Sequence, residues 1–403
     1  MRIVQINETC GTGSIGRLSL ELSEYAENKG HTVLFAHSSK SGGFHNSYRI
    51  GNTLDHKLHA LLSRLTGLQG YFSFLSTKRF IRRMKEFKPD IVHLENLHSN
   101  YINLPLLFKY LADEKIATVI TLHDCWFFTG KCTYFVPAGC EKWQSSCGKC
   151  PLLHIDNVNR TYFFDRTKKC LRDKKKWYDG VEKLLAVGVS EWITKEAEKS
   201  ILSGHRLVKI NNWADRDIFK PRGSSVKERF GIENKKMVLM VSANLSEKKG
   251  YGVMLKLSEA LDDSYRIVVV GRNISKLDIP ENVIHIDHTD NAEQLAEYYS
   301  AADVCVNTTK YETFGMVTAE AISCGTPVIV YNNTASPELV GEGCGIVVEE
   351  EDGVGAVVRA IERITSEGKE KYRRSCEEYS AKAFSKEKQL DAYMEVYKSL
   401  LEG

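Results

Sequence analysis

Short runs of Val, Ile and Leu alternate along the chain with stretches whose apolar residues recur every three or four positions. A run that is apolar on both faces reads as a strand inside a parallel sheet, and the 3.6-residue period reads as a helix covering it. In the first half this pattern predicts strands at 2–6, 32–35, 91–94, 118–122 and 184–189, with helices at 17–29, 78–88 and 104–112. The second half repeats the scheme. Strands are predicted at 237–242, 265–270, 283–286, 304–307, 327–330 and 345–348, and helices at 253–261, 292–300, 317–323 and 354–365. Two doubly wound α/β units in tandem follow from this alternation. Residues 217–225 read as a connector, and 386–401 as a long amphipathic helix with no strand after it. One stretch breaks the scheme. Residues 124–160 hold Cys, Trp, Gly and Pro without period, and so long an irregular segment points to function or to a metal.

A length of 403 residues suits two domains, and 42% hydrophobic with 27% charged residues excludes a disordered chain. No apolar run reaches the roughly 18 residues of a membrane helix, and the amino terminus turns polar too soon for a signal peptide. The expectation is therefore a cytoplasmic protein whose 11 cysteines stay reduced unless they bind metal. The net charge of +3 conceals an asymmetry. Residues 1–204 carry 29 basic and 20 acidic side chains, a balance of +9; residues 205–403 carry 26 and 32, a balance of −6. Two runs, 78–85 and 168–177, supply much of the basic excess, with Phe80, Ile81, Met84 and Trp177 interleaved. Such runs are either solvated helix faces or a surface for an anionic membrane. No nucleic-acid reader module accompanies them, so no nucleic-acid partner is expected.

Gly11-Thr12-Gly13-Ser14-Ile15-Gly16 follows the first strand and opens a helix, where bare backbone and a helix amino terminus can cradle a phosphate. Gly13 and Gly16 are thus candidate binding residues, beside the reading of a tight strand-to-helix turn. An NAD site would also need an acid at the end of the second strand, and the chain has Ala36-His37-Ser38-Ser39 there. That weakens an NAD-dependent oxidoreductase as the alternative function.

The most specific segment is Tyr311-Glu312-Thr313-Phe314-Gly315-Met316-Val317-Thr318-Ala319-Glu320-Ala321. Glu312 precedes a helix and Glu320 lies inside it, and between them the first N–H groups of the helix suit a diphosphate. Ala302-Asp303 precedes this segment and Gly325-Thr326-Pro327-Val328-Ile329 follows it. With those flanks it resembles the Glu-x7-Glu element of the retaining family-4 glycosyltransferases of the GT-B fold. Leu122-His123-Asp124, Asp90-Ile91-Val92-His93 and Asn211-Asn212 extend the resemblance across nearly the whole chain.

The resemblance implies two Rossmann-like doubly wound domains facing a central cleft. Residues 1–215, joined by a crossover helix at 385–403, would take the acceptor, and 216–384 the nucleotide sugar. It implies that Glu312 contacts the transferred sugar. The backbone of Phe314, Gly315, Met316 and Val317 would contact the diphosphate and sugar, Glu320 the ribose, and His123 the reacting sugar. Lys249 and the helix amino terminus would stabilise charge on the departing phosphate, which could itself take the acceptor proton, so no metal or other cofactor is expected for catalysis. The family writes Gly-Arg-Leu-x-x-Glu-Lys-Gly at the phosphate clamp. This chain writes Ala243-Asn244-Leu245-Ser246-Glu247-Lys248-Lys249-Gly250, keeping the lysine but losing a bidentate phosphate partner at Asn244. Lys248 and Arg272 are the candidates to replace it, and a non-catalytic GT-B binding protein is the second alternative. His93 and His98 are further candidates, with a structural role equally open.

Cys132, Cys140, Cys147 and Cys150 lie in the irregular stretch with the spacing Cys-x7-Cys-x6-Cys-x2-Cys. They read as a structural zinc set or as four reduced thiols packed as small hydrophobes. The cysteine loop after His123-Asp124 is most similar to bacterial glycosyltransferases of the colanic-acid type. That similarity implies a nucleotide-sugar donor, a glycan or polyprenyl-linked acceptor, a role in exopolysaccharide or capsule synthesis, and a peripheral position on the inner face of the cytoplasmic membrane.

Overall fold

The computed structural model describes residues 1–39, 43–155, 160–272 and 279–402, apart from the side chain of Asn244. Gly403, the end of the expected crossover segment, lies outside the described residues, as do 156–159 of the irregular stretch. The chain forms two compact units, Met1–Ile210 with Leu390–Gly403, and Asn211–Gln389.

The first unit is built on β1 (Arg2–Ile6), β2 (Thr32–His37), β3 (Ser47–Arg49), β4 (Ile91–Leu94), β5 (Ala117–Leu122), β6 (Leu184–Gly188) and β7 (Arg206–Lys209). They form a parallel sheet in the order β3-β2-β1-β4-β5-β6-β7. Every residue of β4, β5 and β6 is buried, which is why these strands read as unbroken apolar runs. The edge strands β3 and β7 are half-buried or exposed and carry Ser-Tyr-Arg and Arg-Leu-Val-Lys, so hydrophobic patterning does not mark them. The helices of this unit are α1 (Gly13–Asn28), α2 (Thr53–Thr66), α3 (Phe74–Phe87), α4 (Leu104–Asp113), α5 (Thr167–Asp179) and α6 (Glu191–Glu198).

The second unit holds β8 (Lys236–Asn244), β9 (Tyr265–Arg272), β10 (Val283–Ile286), β11 (Val304–Asn307), β12 (Val328–Tyr331) and β13 (Gly345–Val348). Their order is β10-β9-β8-β11-β12-β13, again parallel. Its helices are α7 (Val226–Arg229), α8 (Tyr251–Ala260), α9 (Ala292–Ala301), α10 (Met316–Ser323), α11 (Gly353–Glu367) and α12 (Lys369–Ala383). The last helix, α13 (Lys386–Glu402), belongs from Leu390 onward to the first unit. There Tyr25 donates to Asp391 Oδ1 at 2.6 Å, and Tyr397 Oη lies 2.7 Å from His93 Nδ1.

The basic runs are corrected in one respect. Phe80 and Met84 on α3 are fully buried and belong to the core, while Trp177 on α5 is half-buried and stacks on Phe108 at 6.1 Å. The exposed apolar side chains lie elsewhere: Leu54, Leu58 and Leu61 on α2, Phe74 and Leu75 at the start of α3, and Tyr162-Phe163-Phe164. Among the described residues no helix is long and apolar enough to cross a membrane.

Candidate active site

In each sheet the strand order reverses once, between β1 and β4 and between β8 and β11. The carboxyl ends of strands flanking such a reversal leave a crevice between diverging connections, where α/β sheets bind ligands. The sequence-predicted residues sit at those ends or, for His123, one strand further on. The glycine loop follows β1 and His123 follows β5; Lys249 follows β8, and Glu312 follows β11.

In the second unit, β8 leads into a single tight turn, Glu247–Lys249, closed by Gly250 at φ +91°. A Cβ at Gly250 would stand 2.6 Å from Thr308 Oγ1, so the close approach of the two loops requires glycine there. The Lys310 N–H donates to the Lys248 carbonyl at 3.0 Å, tying the loop after β8 to the loop after β11. Lys249 Nζ then reaches Glu312 Oε1 at 2.5 Å. The Glu312 N–H donates to Thr334 Oγ1 at 2.9 Å, which fixes the backbone from which the carboxylate projects. Thr308 Oγ1 is buried without a hydrogen-bond partner among the described residues.

Phe314 is buried against Phe384, with ring centroids 6.0 Å apart, so its side chain serves the core and its backbone remains for a ligand. Gly315 has φ +111° and begins α10, and no side chain caps that end. The N–H groups of Met316 and Val317 fall in the first turn, where a helix supplies no internal acceptor. Glu320 is 5% exposed and accepts from the Tyr299 hydroxyl at 3.1 Å. The structure thus brings Lys249 and Glu312 together just before the uncapped start of α10, and seats Glu320 deeper, against α9. Arg272, at the exposed end of β9, is the ladder partner of Asn244. Lys248 instead extends over the Tyr311 ring at 4.9 Å.

In the first unit, Gly11 and Gly13 take φ +74° and +70°, and the Gly11 N–H donates to the Gly16 carbonyl at 2.9 Å. A Cβ at Gly16 would stand 2.4 Å from Thr9 Oγ1, so this glycine serves close packing of loop on helix. No acid follows β2, whose end is His37 with Ser38 and Ser39 beyond, and the oxidoreductase alternative has no ribose partner at that strand end.

Glu95, directly after β4, is the residue that sequence reasoning missed. It is 2% exposed, its carboxylate accepts from Gln5 Nε2 and Ser19 Oγ, and His123 Nε2 lies 3.1 Å from its Oε2. Burial opposes ionisation of Glu95, but the His123 hydrogen bond and charge, with His93 and Ser19, outweigh it and hold the carboxyl below its usual range. An acid one residue past a predicted buried strand was the available signal. His98 Nε2 lies 3.0 Å from Asp124 Oδ2 beside it. His93 is a core residue between Tyr397 and Thr121, and burial lowers its imidazole to about 4.

The four loop cysteines are all free thiols and line one cavity. Among the described residues no group of three or more His, Cys, Asp or Glu side chains stands in ligating positions.

Two family models match the chain: "Glycosyl transferases group 1" over residues 224–383 and "Glycosyltransferase Family 4" over residues 15–149. The chain belongs to the family-4 glycosyltransferases. The first model spans the Lys249 turn, Glu312 and α10; the second spans the glycine loop, Glu95 and His123. This glycosyltransferase is 25% identical over 421 residues to WcaC of Escherichia coli K12, a protein provisionally named a colanic acid biosynthesis glycosyl transferase. That alignment covers 99% of this chain and 100% of WcaC. Two solved structures share the GT-B fold at 15% identity. Sucrose-phosphate synthase of Thermosynechococcus elongatus superposes with a TM-score of 0.74, covering 100% of this chain and 99% of its own. Anabaena HepE, solved with UDP and glucose, superposes with a TM-score of 0.68, covering 99% and 100%.

Proposed function

We propose that this glycosyltransferase moves a hexosyl group, with retention of configuration, from a nucleoside-diphosphate sugar to a hydroxyl of a glycan or polyprenyl-linked acceptor. The reading rests above all on the Lys249–Glu312 pair set just before the uncapped amino terminus of α10. An ammonium and unshared helix N–H groups at one place suit a diphosphate whose negative charge grows as the sugar departs. HepE, which shares the fold, is solved with UDP and glucose, and this supports a nucleotide-sugar donor. Gly315 and Phe314 offer backbone to the diphosphate, Glu312 faces the sugar, and Glu320 accepts the ribose hydroxyls. Arg272, across the ladder from Asn244, takes the place of the family's clamp arginine. His123, oriented by Glu95, meets the reacting sugar. The donor phosphate takes the acceptor proton, and no metal is needed for this step.

For the acceptor, the first unit has a cavity of about 440 Å³ lined by Ser38, Arg49, His56, Lys57 and Arg64. Leu54, Leu58 and Leu61 stand exposed on the adjoining face of α2. A cationic hollow beside an apolar stripe suits an anionic, lipid-linked acceptor held at an anionic membrane surface. With the likeness to WcaC, this favours exopolysaccharide or capsule synthesis on the inner face of the cytoplasmic membrane.

Incubation with a panel of nucleotide sugars, followed by nucleotide release and by NMR of the anomeric centre, tests the reading. Release from one donor with the anomeric configuration kept is expected; inversion overturns the retaining assignment, and no release from any donor leaves the non-catalytic alternative standing. Glu320→Ala should weaken donor binding, and unchanged affinity by calorimetry removes the ribose role.

A further inference from the structure

We propose that Cys132, Cys140, Cys147 and Cys150, which line one cavity but do not stand in ligating positions in this structure, draw together on one zinc ion as thiolates, and that this centre organises the segment from Gly130 to Leu153. The inference is independent of the donor reading, because it concerns a loop in the first unit alone.

The four sulfurs, 18 residues apart from first to last in the chain, line a single cavity of about 20 Å³. That is room for one water-sized species and too little for a metabolite. The Cys147–Cys150 turn is shaped for it. Gly148 and Lys149 both have positive φ, +125° and +45°, so the chain doubles back and turns both cysteines to the same hollow. Burial raises both free thiols above their usual range, while the N–H groups of Gly130 and Leu152 donate to the Cys147 and Cys150 sulfurs, as hydrogen-bond donors around a metal do to its thiolates. Asp165 Oδ2 accepts from the Cys150 N–H at 2.8 Å and pins the far side of the turn.

Trp143 supplies a separate indication. It lines the same cavity at 1% exposure, and its indole N–H has no acceptor among the described residues. A buried donor without an acceptor is destabilising, and a metal-bound thiolate is an acceptor at hand. Charge agrees. Four thiols that bind Zn²⁺ release four protons to solvent and leave a centre of charge −2. Two buried lysines flank it: Lys131 Nζ donates to the Leu152 and Leu153 carbonyls, and Lys174 Nζ to those of Trp126 and Thr129. The segment also needs a tie. Its regular structure amounts to short turns at Val136–Ala138 and Lys142–Gln144 around Trp143 and Phe135, whose rings lie 4.7 Å apart. Small irregular segments of this kind are held by metal because packing alone buries too little.

The test uses the full chain, expressed with zinc and purified without chelator. Elemental analysis should find about one zinc per chain, and exchange for Co²⁺ should give the intense visible absorption of tetrahedral thiolate cobalt. Cys147→Ser/Cys150→Ser should lower the zinc content at least about tenfold, while Cys10→Ala leaves it unchanged. Metal-free wild-type protein, a cobalt spectrum without thiolate bands, or zinc retained by the double variant would each overturn the assignment. If the double variant does not fold, the wild-type stoichiometry and the cobalt spectrum still decide the matter.

Discussion

Replacing Lys249 by alanine removes an ammonium and leaves Glu312 without the cation that stands 2.5 Å from its Oε1. If Lys249 holds the diphosphate, the variant loses a charge-assisted hydrogen bond of about 1.5–3 kcal/mol. The bared carboxylate then repels the same phosphate. Two unit charges 5 Å apart interact by about 3 kcal/mol at an effective dielectric near 20. The Glu312 side chain is 18% exposed, and solvent and salt reduce that repulsion to about 1 kcal/mol. Lys249→Ala should therefore weaken binding of a nucleoside diphosphate roughly 10²- to 10³-fold. Glu312→Gln has the opposite effect on this ligand. It frees Lys249 for the phosphate, so affinity stays or rises a few-fold, while sugar transfer falls about 100-fold or more. The double variant should bind about fivefold better than Lys249→Ala alone. Calorimetry with UDP, ADP, GDP and dTDP on folded protein measures all four corners of this cycle. Two results would refute the reasoning: Glu312→Gln weakening UDP as much as Lys249→Ala does, or a double variant no better than the single one.

Acid should destabilise the first unit in two steps. His93 is neutral in the fold with its imidazole lowered to about 4, and takes up a proton near 6.5 when unfolded. The unfolded chain thus binds more protons between those values, and stability falls by about 3 kcal/mol as pH drops from 6.5 to 4. Glu95, held below its usual range, adds a loss below about pH 4.5 as it is protonated. Urea midpoints at several pH values check this, and a flat profile contradicts it. Gly315→Ala puts a Cβ 3.0 Å from Leu339 Cδ1 at φ +111°, and should cost about 1–3 kcal/mol in denaturant titration; wild-type stability would show that the backbone there has another choice. Phe80→Ala should cost about 3–5 kcal/mol and leave vesicle binding unchanged. Leu54→Ser/Leu58→Ser/Leu61→Ser should leave the unfolding midpoint near wild type and reduce sedimentation with anionic vesicles; unchanged sedimentation removes α2 from the membrane face.

The strands that read most plainly are those packed on both faces. β1, β4 and β11 have the bounds that periodicity predicts, because burial inside the sheet leaves little polar sequence to blur the run. β10 and β13, half-buried at the edges of the second sheet, match as well because nearly all their residues are Val or Ile. β3 and β7 lack that constraint at the sheet edges and escaped notice. The site was legible where short-range geometry carries it. Gly315 with α10, and Lys249 with Gly250, are turns and helix ends whose residue types follow from local backbone demands.

Glu95 was legible only as an acid one residue past a buried strand, a signal that does not by itself separate a buried acid from a solvated one. Its meaning depends on His123, Gln5 and Ser19, which the sheet order places around it from 28 to 90 residues away. The same holds for Phe80 and Met84. Their helix is amphipathic in sequence, but only packing decides that its apolar side turns inward while the leucines of α2 stay in water. The sequence by itself determined what periodicity and spacing encode: two doubly wound sheets, a glycine-bearing turn after the first strand of each, and a spaced set of four cysteines. Tertiary structure alone decided which acid meets which base, because a buried charge takes its chemistry from the neighbours that long-range packing supplies.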